Sequence, residues 1–218
     1  MERGLIITLP NFDDATSYLA YYSKEILVEI IKRGNIKIKE ISNKQDLTMK
    51  YFSEVIRKLN YNFIIFNGHG EEDSIYGYKD EILIKVGFNE ELLKERIVYA
   101  RSCNAGMILG PKTMKNNKEG CFIGYTLPFV FFIDQKWSAK PNNDNTARIF
   151  LEPSNLLPIS LIKGNSTGES NNRSKRAIIK NMKNILKNEK EPGADSLLAG
   201  LWNNYIGQVL IGNENAKI

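Results

Sequence analysis

The stretches FIIFNGHG, at residues 63–70, and IVYARSC, at residues 97–103, decide the fold of this chain. Each begins with a short apolar run of the length of a buried strand and ends in polar or small residues. Parallel strands bring the loops that follow them to one edge of a sheet, where ligands and catalytic groups gather. If the two strands are neighbours, His69 and Cys103 emerge side by side at that edge.

The sequence on either side of these stretches alternates between strand and helix signals. Further short apolar runs predict strands at 5–9, 36–41, 121–125 and 208–211. Helical spacing and capping residues predict helices at 15–33, 46–59, 89–95 and 105–114, and a mostly helical C-terminal third. Alternating residues at 74–87 predict a small β-hairpin. This order predicts a single α/β domain over residues 1–218, with helices on both faces of a mostly parallel sheet.

The composition excludes several classes of protein. Of the 218 residues, 42% are hydrophobic and 25% are charged, which is typical of a globular chain and not of a disordered one. No apolar run approaches the roughly 20 residues of a membrane-spanning helix; residues 129–133 have the length of a strand. Pro10 and Asn11 follow the first apolar stretch too soon for a secretory signal. We therefore expect a cytoplasmic protein with no membrane partner.

The charge of the chain is mildly positive and unevenly distributed. Lys and Arg number 30 against 25 Asp and Glu, and much of the surplus lies between Asn165 and Lys190. A basic patch of this kind can bind nucleic acid. A lysine-rich helix face in solvent is the more common meaning of such a run, so a nucleic-acid partner is not expected. The Gly, Ser and Asn-rich segment from Gly164 to Arg173 is predicted to join two helices of the same domain.

Thiol and imidazole chemistry is restricted to three side chains, since the chain has one His and two Cys. These residues are too few for a tetrahedral zinc site. A thiol becomes a nucleophile at neutral pH when an imidazole lies beside it, which makes His69 and Cys103 a candidate pair. The backbone N–H groups of Gly70 and Cys103 could stabilise an oxyanion. Alternatively, His69 and Cys103 are ordinary surface or packing residues, as Cys121 inside its strand is predicted to be.

These residues resemble the caspase-like (clan CD) cysteine peptidases, and most closely their prokaryotic CHAT branch. The pattern is an apolar strand followed by His-Gly and a second apolar strand followed by x-x-Cys-x-x-Gly; IYGYKDEILI (75–84), RIVYARSCNAG (96–106) and GCFIGYTLPF (120–129) carry it. The resemblance extends over residues 5–211. It implies a three-layer caspase-hemoglobinase-like fold with a mostly parallel sheet of about six strands. It also implies His69 as general base or proton shuttle, Cys103 as nucleophile, and Gly70 and Cys103 as oxyanion donors.

The resemblance also implies substrate-binding residues. The residue two before the nucleophile often faces the first substrate pocket in this family, and here it is Arg101, which would favour an acidic or uncharged polar side chain. Alternatively, Asp134 neutralises Arg101, which then only supports the pocket wall. Thr126, Asp134 and Trp137 follow the fifth strand, where the family builds its pocket, although Trp137 could simply anchor its loop. The chain departs from the caspases in having Arg-Ser where they have Gln-Ala before the nucleophile.

The expected function is that of a cysteine endopeptidase that cleaves proteins through a Cys–His dyad and a thioester. It would need no metal or organic cofactor. By resemblance it would act with a regulatory or effector protein in a prokaryotic defence or cell-death pathway. One alternative is a catalytically inactive caspase-like scaffold or partner-binding module. Another is a small-molecule or nucleotide-binding α/β domain in which the His–Cys pair is a coincidence.

Overall fold

A computed structural model describes residues 1–187 and 192–218, so residues 188–190 of the basic segment lie outside the described residues. The strands are β1 (Glu2–Thr8), β2 (Lys37–Ile41), β3 (Tyr61–Asn67), β4 (Ser74–Tyr76), β5 (Ile82–Lys85), β6 (Ile97–Arg101), β7 (Cys121–Tyr125) and β8 (Gln208–Gly212). The helices are α1 (Asp14–Arg33), α2 (Met49–Leu59), α3 (Leu109–Met114), α4 (Asn145–Ile162), α5 (Thr167–Leu186) and α6 (Ala194–Gly207). Short 3₁₀ turns lie at Glu90–Leu93, Gln135–Trp137 and Pro141–Asn143.

Six of the strands form one sheet in the order β2-β1-β3-β6-β7-β8. All neighbouring pairs are parallel except β7 and β8, which are antiparallel. The remaining strands, β4 and β5, form the predicted antiparallel hairpin between β3 and β6. The prediction of an α/β protein with a mostly parallel sheet is therefore confirmed.

The sheet separates two hydrophobic cores because successive side chains of a buried strand point to opposite faces. On one face, Leu5, Phe63 and Tyr99 pack with residues of α1 and α4. On the other, Ile64 and Val98 pack with residues of α2, α3 and the hairpin. Helices thus cover both faces, and α5 packs against α4 outside the first layer.

Local signals fixed most element boundaries, and the differences have local causes. Helix α1 begins after Asp13, whose side chain caps it, and ends at Gly34 in the left-handed region. Helix α2 begins after Thr48 and not at Asp46, since the Thr48 hydroxyl accepts the N–H of Tyr51 at 3.3 Å.

Two segments differ from prediction more clearly. Residues 167–173, predicted as part of a connection, already belong to α5, because Ser166 caps the helix and forms a capping box with Glu169 in its first turn. The predicted helix at 89–95 is a single 3₁₀ turn. Among the described residues, no helix combines the length and the apolar character needed to cross a membrane.

Candidate active site

The loops after β3 and β6 place His69 and Cys103 on one cavity. The two strands are neighbours, as the prediction required, and Asn67 of β3 pairs in register with Arg101 of β6. His69 and Cys103 each follow their strand by two residues, and both line a small cavity of about 40 Å³. Further lining residues come from the start of α1 and from the loop after β7.

Gly70 allows the two loops to come into contact. A Cβ atom on this residue would lie 2.8 Å from Cβ of Ser102 and 2.9 Å from the carbonyl oxygen of Cys103. Both separations are shorter than van der Waals contact, so a side chain at position 70 would push the loops apart. The histidine loop is next to the cysteine loop because this residue is glycine.

The two predicted oxyanion donors are the backbone N–H groups of Gly70 and Cys103. Gly70 pairs with Ile75 in an antiparallel bridge. The hydrogen bonds of this bridge are made by the neighbouring residues, from Glu71 N–H to Ser74 O at 2.9 Å and from Tyr76 N–H to His69 O at 3.0 Å. In this antiparallel pattern, the N–H of Gly70 points away from the hairpin. Within the described residues, neither this N–H nor that of Cys103 has a hydrogen-bond acceptor.

His69 is paired with a carboxylate that the sequence analysis did not select. Its Nε2 atom lies 2.6 Å from Oδ2 of Asp13, and the two side chains are 43% and 36% exposed. Asp13 follows β1, the neighbour of β3, and its other oxygen, Oδ1, accepts the N–H of Thr16 at 2.7 Å to cap α1. One side chain therefore both starts a helix and orients the imidazole.

Burial and hydrogen bonding have opposite effects on the pKa of Asp13. Burial acts to raise the pKa, but the hydrogen bonds from His69 and Thr16 outweigh it and hold the pKa below its usual value of 3.8. Asp13 is therefore a carboxylate at neutral pH. Its negative charge lies beside Nε2 of His69.

Cys103 is a neutral thiol in this structure. Burial raises the pKa of the Cys103 thiol, and the backbone N–H of Phe129 only partly offsets that effect. Among the described residues, no hydrogen bond joins His69 to Cys103. Cys121 is wholly buried in β7, where burial raises its pKa to about 12, so Cys103 is the more accessible of the two thiols.

Ser102 adds an unexpected polar group to the cavity wall. Its side chain is 1% exposed, its hydroxyl has no hydrogen-bond partner in the described residues, and it lines the cavity with His69 and Cys103. A buried hydroxyl without a partner costs stability. The cost suggests that the hydroxyl is available to a bound molecule.

Arg101 is among the residues that line the cavity, although its side chain is fully buried from solvent. It donates to Oδ1 of Asn67 at 2.7 Å, to Oδ1 of Asn155 at 2.8 Å and to the hydroxyl of Ser23, so it ties β3 to α1 and α4. Asn155 in turn donates to the carboxylate of Glu25 at 2.8 Å, so a single side chain links this carboxylate to the buried guanidinium of Arg101.

These contacts favour the alternative in which Arg101 supports the pocket wall and does not bind substrate directly, because no part of its side chain is exposed. The expected partnership with Asp134 is wrong. The Asp134 carboxylate binds Lys136 at 2.7 Å and caps the turn Gln135–Trp137 instead.

The other residues predicted to bind substrate lie away from the cavity. Thr126 bonds through its N–H and its hydroxyl to the carbonyl of Gly207, which ties it to the end of α6. Trp137 is half-buried beneath Lys136, whose Nζ lies 5.8 Å from the ring centroid. Neither these two residues nor Asp134 is among the residues that line the cavity at Cys103. In their place, the loop contributes Phe129 and Phe131.

The residues missed by the sequence analysis are Asp13 and Ser102. Asp13 had a signal, because an N-cap aspartate directly after β1 lies at the same sheet edge as the residues that follow β3 and β6. Ser102 had no signal beyond its place next to Cys103, since whether a hydroxyl finds a hydrogen-bond partner depends on how the chain packs.

No protein-family model matches the chain, and no curated protein matches it.

Proposed function

We propose that the protein is a cysteine endopeptidase of the caspase-like class, with Cys103 as nucleophile and His69 as general base. The observation that carries the proposal is the shared cavity at the carboxyl edge of the parallel strands, which His69 and Cys103 both line. The N–H groups of Cys103 and of Gly70, the residue after His69, have no acceptor among the described residues. Covalent catalysis at a carbonyl requires this set of groups. The six-stranded sheet with one antiparallel edge strand fits a caspase-like domain.

The reaction begins with a neutral thiol. As the sulfur of Cys103 bonds to the carbonyl carbon of the substrate, its proton passes to His69, and the N–H groups of Gly70 and Cys103 stabilise the oxyanion. His69 then gives that proton to the leaving amine as the C–N bond breaks. Water, deprotonated by His69, then attacks the thioester carbonyl. The C–S bond breaks, the acid product is released, and His69 returns the proton to the sulfur of Cys103. Asp13 keeps the imidazole oriented and stabilises its protonated form.

The proposal includes a protein substrate, a cytoplasmic location and a regulatory or effector partner in a prokaryotic defence or cell-death pathway. The location rests on the absence of a secretory signal or a membrane-spanning run in the sequence, and the other parts rest on the resemblance of the His-Gly and Cys-x-x-Gly segments. The dyad requires no cofactor for the steps described.

The geometry of the ligand-free cavity also favours a second, alternative function. The raised pKa of Cys103 and the small volume of the cavity also suit a catalytically inactive module that binds a partner. In the peptidase, substrate must widen the cavity and bring the thiol to the imidazole. In the inactive module, the thiol stays protonated and unreactive.

Labelling with a thiol-directed peptidyl warhead separates the two functions. We expect a library of peptidyl acyloxymethyl ketones to add one label to the wild type and none to Cys103→Ala, as read from the intact mass. His69→Ala should label much more slowly, and Cys121→Ala should label like the wild type. A wild type that stays unlabelled by every peptide, or a His69→Ala variant that labels at the wild-type rate, would overturn the peptidase assignment.

A further inference from the structure

Helix α5 carries a continuous run of positive charge. Between Glu169 and Glu189 the sequence has no acidic residue and six cations, at Arg173, Lys175, Arg176, Lys180, Lys183 and Lys187. The carboxylate of Glu169 is occupied by the backbone N–H of Ser166 at 2.9 Å, within the capping box. The side chains of this run are therefore not neutralised from within their own helix.

The cations form one wall of a groove. Lys175, Arg176, Lys180, Lys183 and Lys187 line a groove of about 690 Å³ between α5 and the side of α6. At a rise of about 1.5 Å per residue, the stretch from Lys175 to Lys187 is roughly 18 Å long. A groove of this length accommodates an extended strand of a polymer.

The positive charges of the groove are not balanced by acids. In the described part of the chain, none of the groove cations lies within ion-pair distance of a carboxylate. Cations four residues apart, such as Arg176 and Lys180, repel each other and weaken a helix. An anionic partner in the groove would remove that repulsion.

Two aromatic rings of α6 lie beside the cations. Tyr205 of α6 lines the groove, with Nζ of Lys175 5.1 Å from its ring centroid. Trp202, which is 49% exposed, stacks on Tyr205 with the centroids 5.6 Å apart and the planes at 23°. Trp202 does not itself line the groove but adjoins it through Tyr205.

We propose that this groove binds single-stranded nucleic acid, with the cations on the phosphates and a base stacked on Trp202. Cations that follow a backbone and aromatic side chains that stack bases are the combination that single-strand binding requires. An acidic peptide would use the cations but leaves the exposed aromatic pair without a role. An anionic membrane would meet a convex surface more readily than a groove between two helices.

The groove is independent of the proposed peptidase site. Among the described residues, the groove and the cavity at Cys103 share no lining residue. Binding in the groove can therefore be tested whether or not the chain is a peptidase, and Cys103→Ala should bind nucleic acid like the wild type.

Fluorescence anisotropy with labelled oligothymidylate and oligouridylate of roughly twelve nucleotides tests the proposal. We expect the full chain to bind and its affinity to fall with rising salt. Lys180→Ala/Lys183→Ala should bind about tenfold more weakly, and its slope of log affinity against log salt should be shallower by about 1.4. Trp202→Ala should lose about fivefold or more.

The matched control is Lys50→Ala/Lys58→Ala, which removes the same charge from exposed positions of α2 on the opposite face of the sheet. It should bind like the wild type. Equal losses in the two double variants would overturn the proposal, as would a wild type that binds phosphatidylglycerol vesicles or polyglutamate but not the oligonucleotides. Circular dichroism melting confirms that each variant is folded.

Discussion

Nε2 of His69 lies 2.6 Å from Oδ2 of Asp13, so the loop after β3 is joined to the N-terminus of α1. The contact uses the oxygen of Asp13 that the helix cap does not, since Oδ1 holds the N–H of Thr16. Capping fixes the carboxylate, and the fixed carboxylate in turn limits the rotation of the imidazole. The position of His69 therefore depends on how α1 begins.

Asp13→Asn should separate catalysis from helix capping. Asparagine is as good a cap as aspartate, so the variant should keep the cap of α1 and lose only the stability that the carboxylate charge supplies, together with the charge beside the imidazole. We expect kcat for a peptide substrate to fall about a hundredfold. The control is Asp14→Asn, whose carboxylate accepts from Gln135 at 3.2 Å and not from His69. Equal activity in the two variants would contradict a positioning role for Asp13.

The stability of the wild type should show the lowered pKa of Asp13. Because the pKa in the folded protein lies below the usual value of 3.8, the carboxylate stabilises the fold above about pH 4, and this contribution is lost as the pH falls through the folded pKa. The difference in melting temperature between the wild type and Asp13→Asn should therefore shrink as the pH falls below about 4. A difference that grows in acid would show that the sign is wrong.

Much of the fold could be predicted because its signals are local. The apolar runs that became β3 and β6, and the cap residues Asp13 and Gly34 around α1, are readable from neighbours in sequence. The His69–Asp13 contact joins residues 56 positions apart, and the partners of Arg101 lie on α1, β3 and α4. Pairings of this kind depend on packing, which is why the sequence suggested Asp134 as the partner of Arg101 and the structure does not.

Alkylation by iodoacetamide should distinguish the two cysteines and report the charge state of Cys103. Thiolate is the reactive form, and burial raises the pKa of Cys103 above its usual value of 9.0, so its rate should rise steadily with pH from 7 to 9. Cys121 should stay unmodified in the folded protein, since it is buried with a pKa of about 12. Intact mass measures both. A rate for Cys103 that is high and constant near pH 7 would indicate a preformed ion pair with His69.

Ser102→Ala should separate a hydroxyl that serves substrate from one that is merely buried. Removing a buried hydroxyl that lacks a partner should leave the free energy of unfolding unchanged or raise it slightly. If Ser102 binds substrate, KM for a peptide should increase several-fold in this variant. Ser170→Ala is the matched control, because the Ser170 hydroxyl is also buried without a partner but does not line the cavity. A wild-type KM in both variants would leave Ser102 without a role in the site.

Arg101→Lys should destabilise the protein and leave its charge preference intact. A lysine keeps the charge but cannot reach Asn67, Asn155 and Ser23 together, and each polar group left unpaired costs about 1–3 kcal/mol. We expect urea unfolding to show a loss of about 3 kcal/mol or more, whereas Arg57→Lys, on the exposed side of α2, should cost almost nothing.

The specificity of the peptidase then tests whether Arg101 touches substrate. A buried positive charge in the wall of the cavity disfavours a cationic side chain next to the cut, so the wild type should cleave poorly after Lys or Arg. If Arg101 only supports the wall, the wild type and Arg101→Lys should show the same ratio of kcat/KM between peptides with Glu and with Gln before the scissile bond. Both proteins place a positive charge at the same position in the wall. A large change in that ratio would place the guanidinium on the substrate, and efficient cleavage after Lys would exclude any influence of its charge.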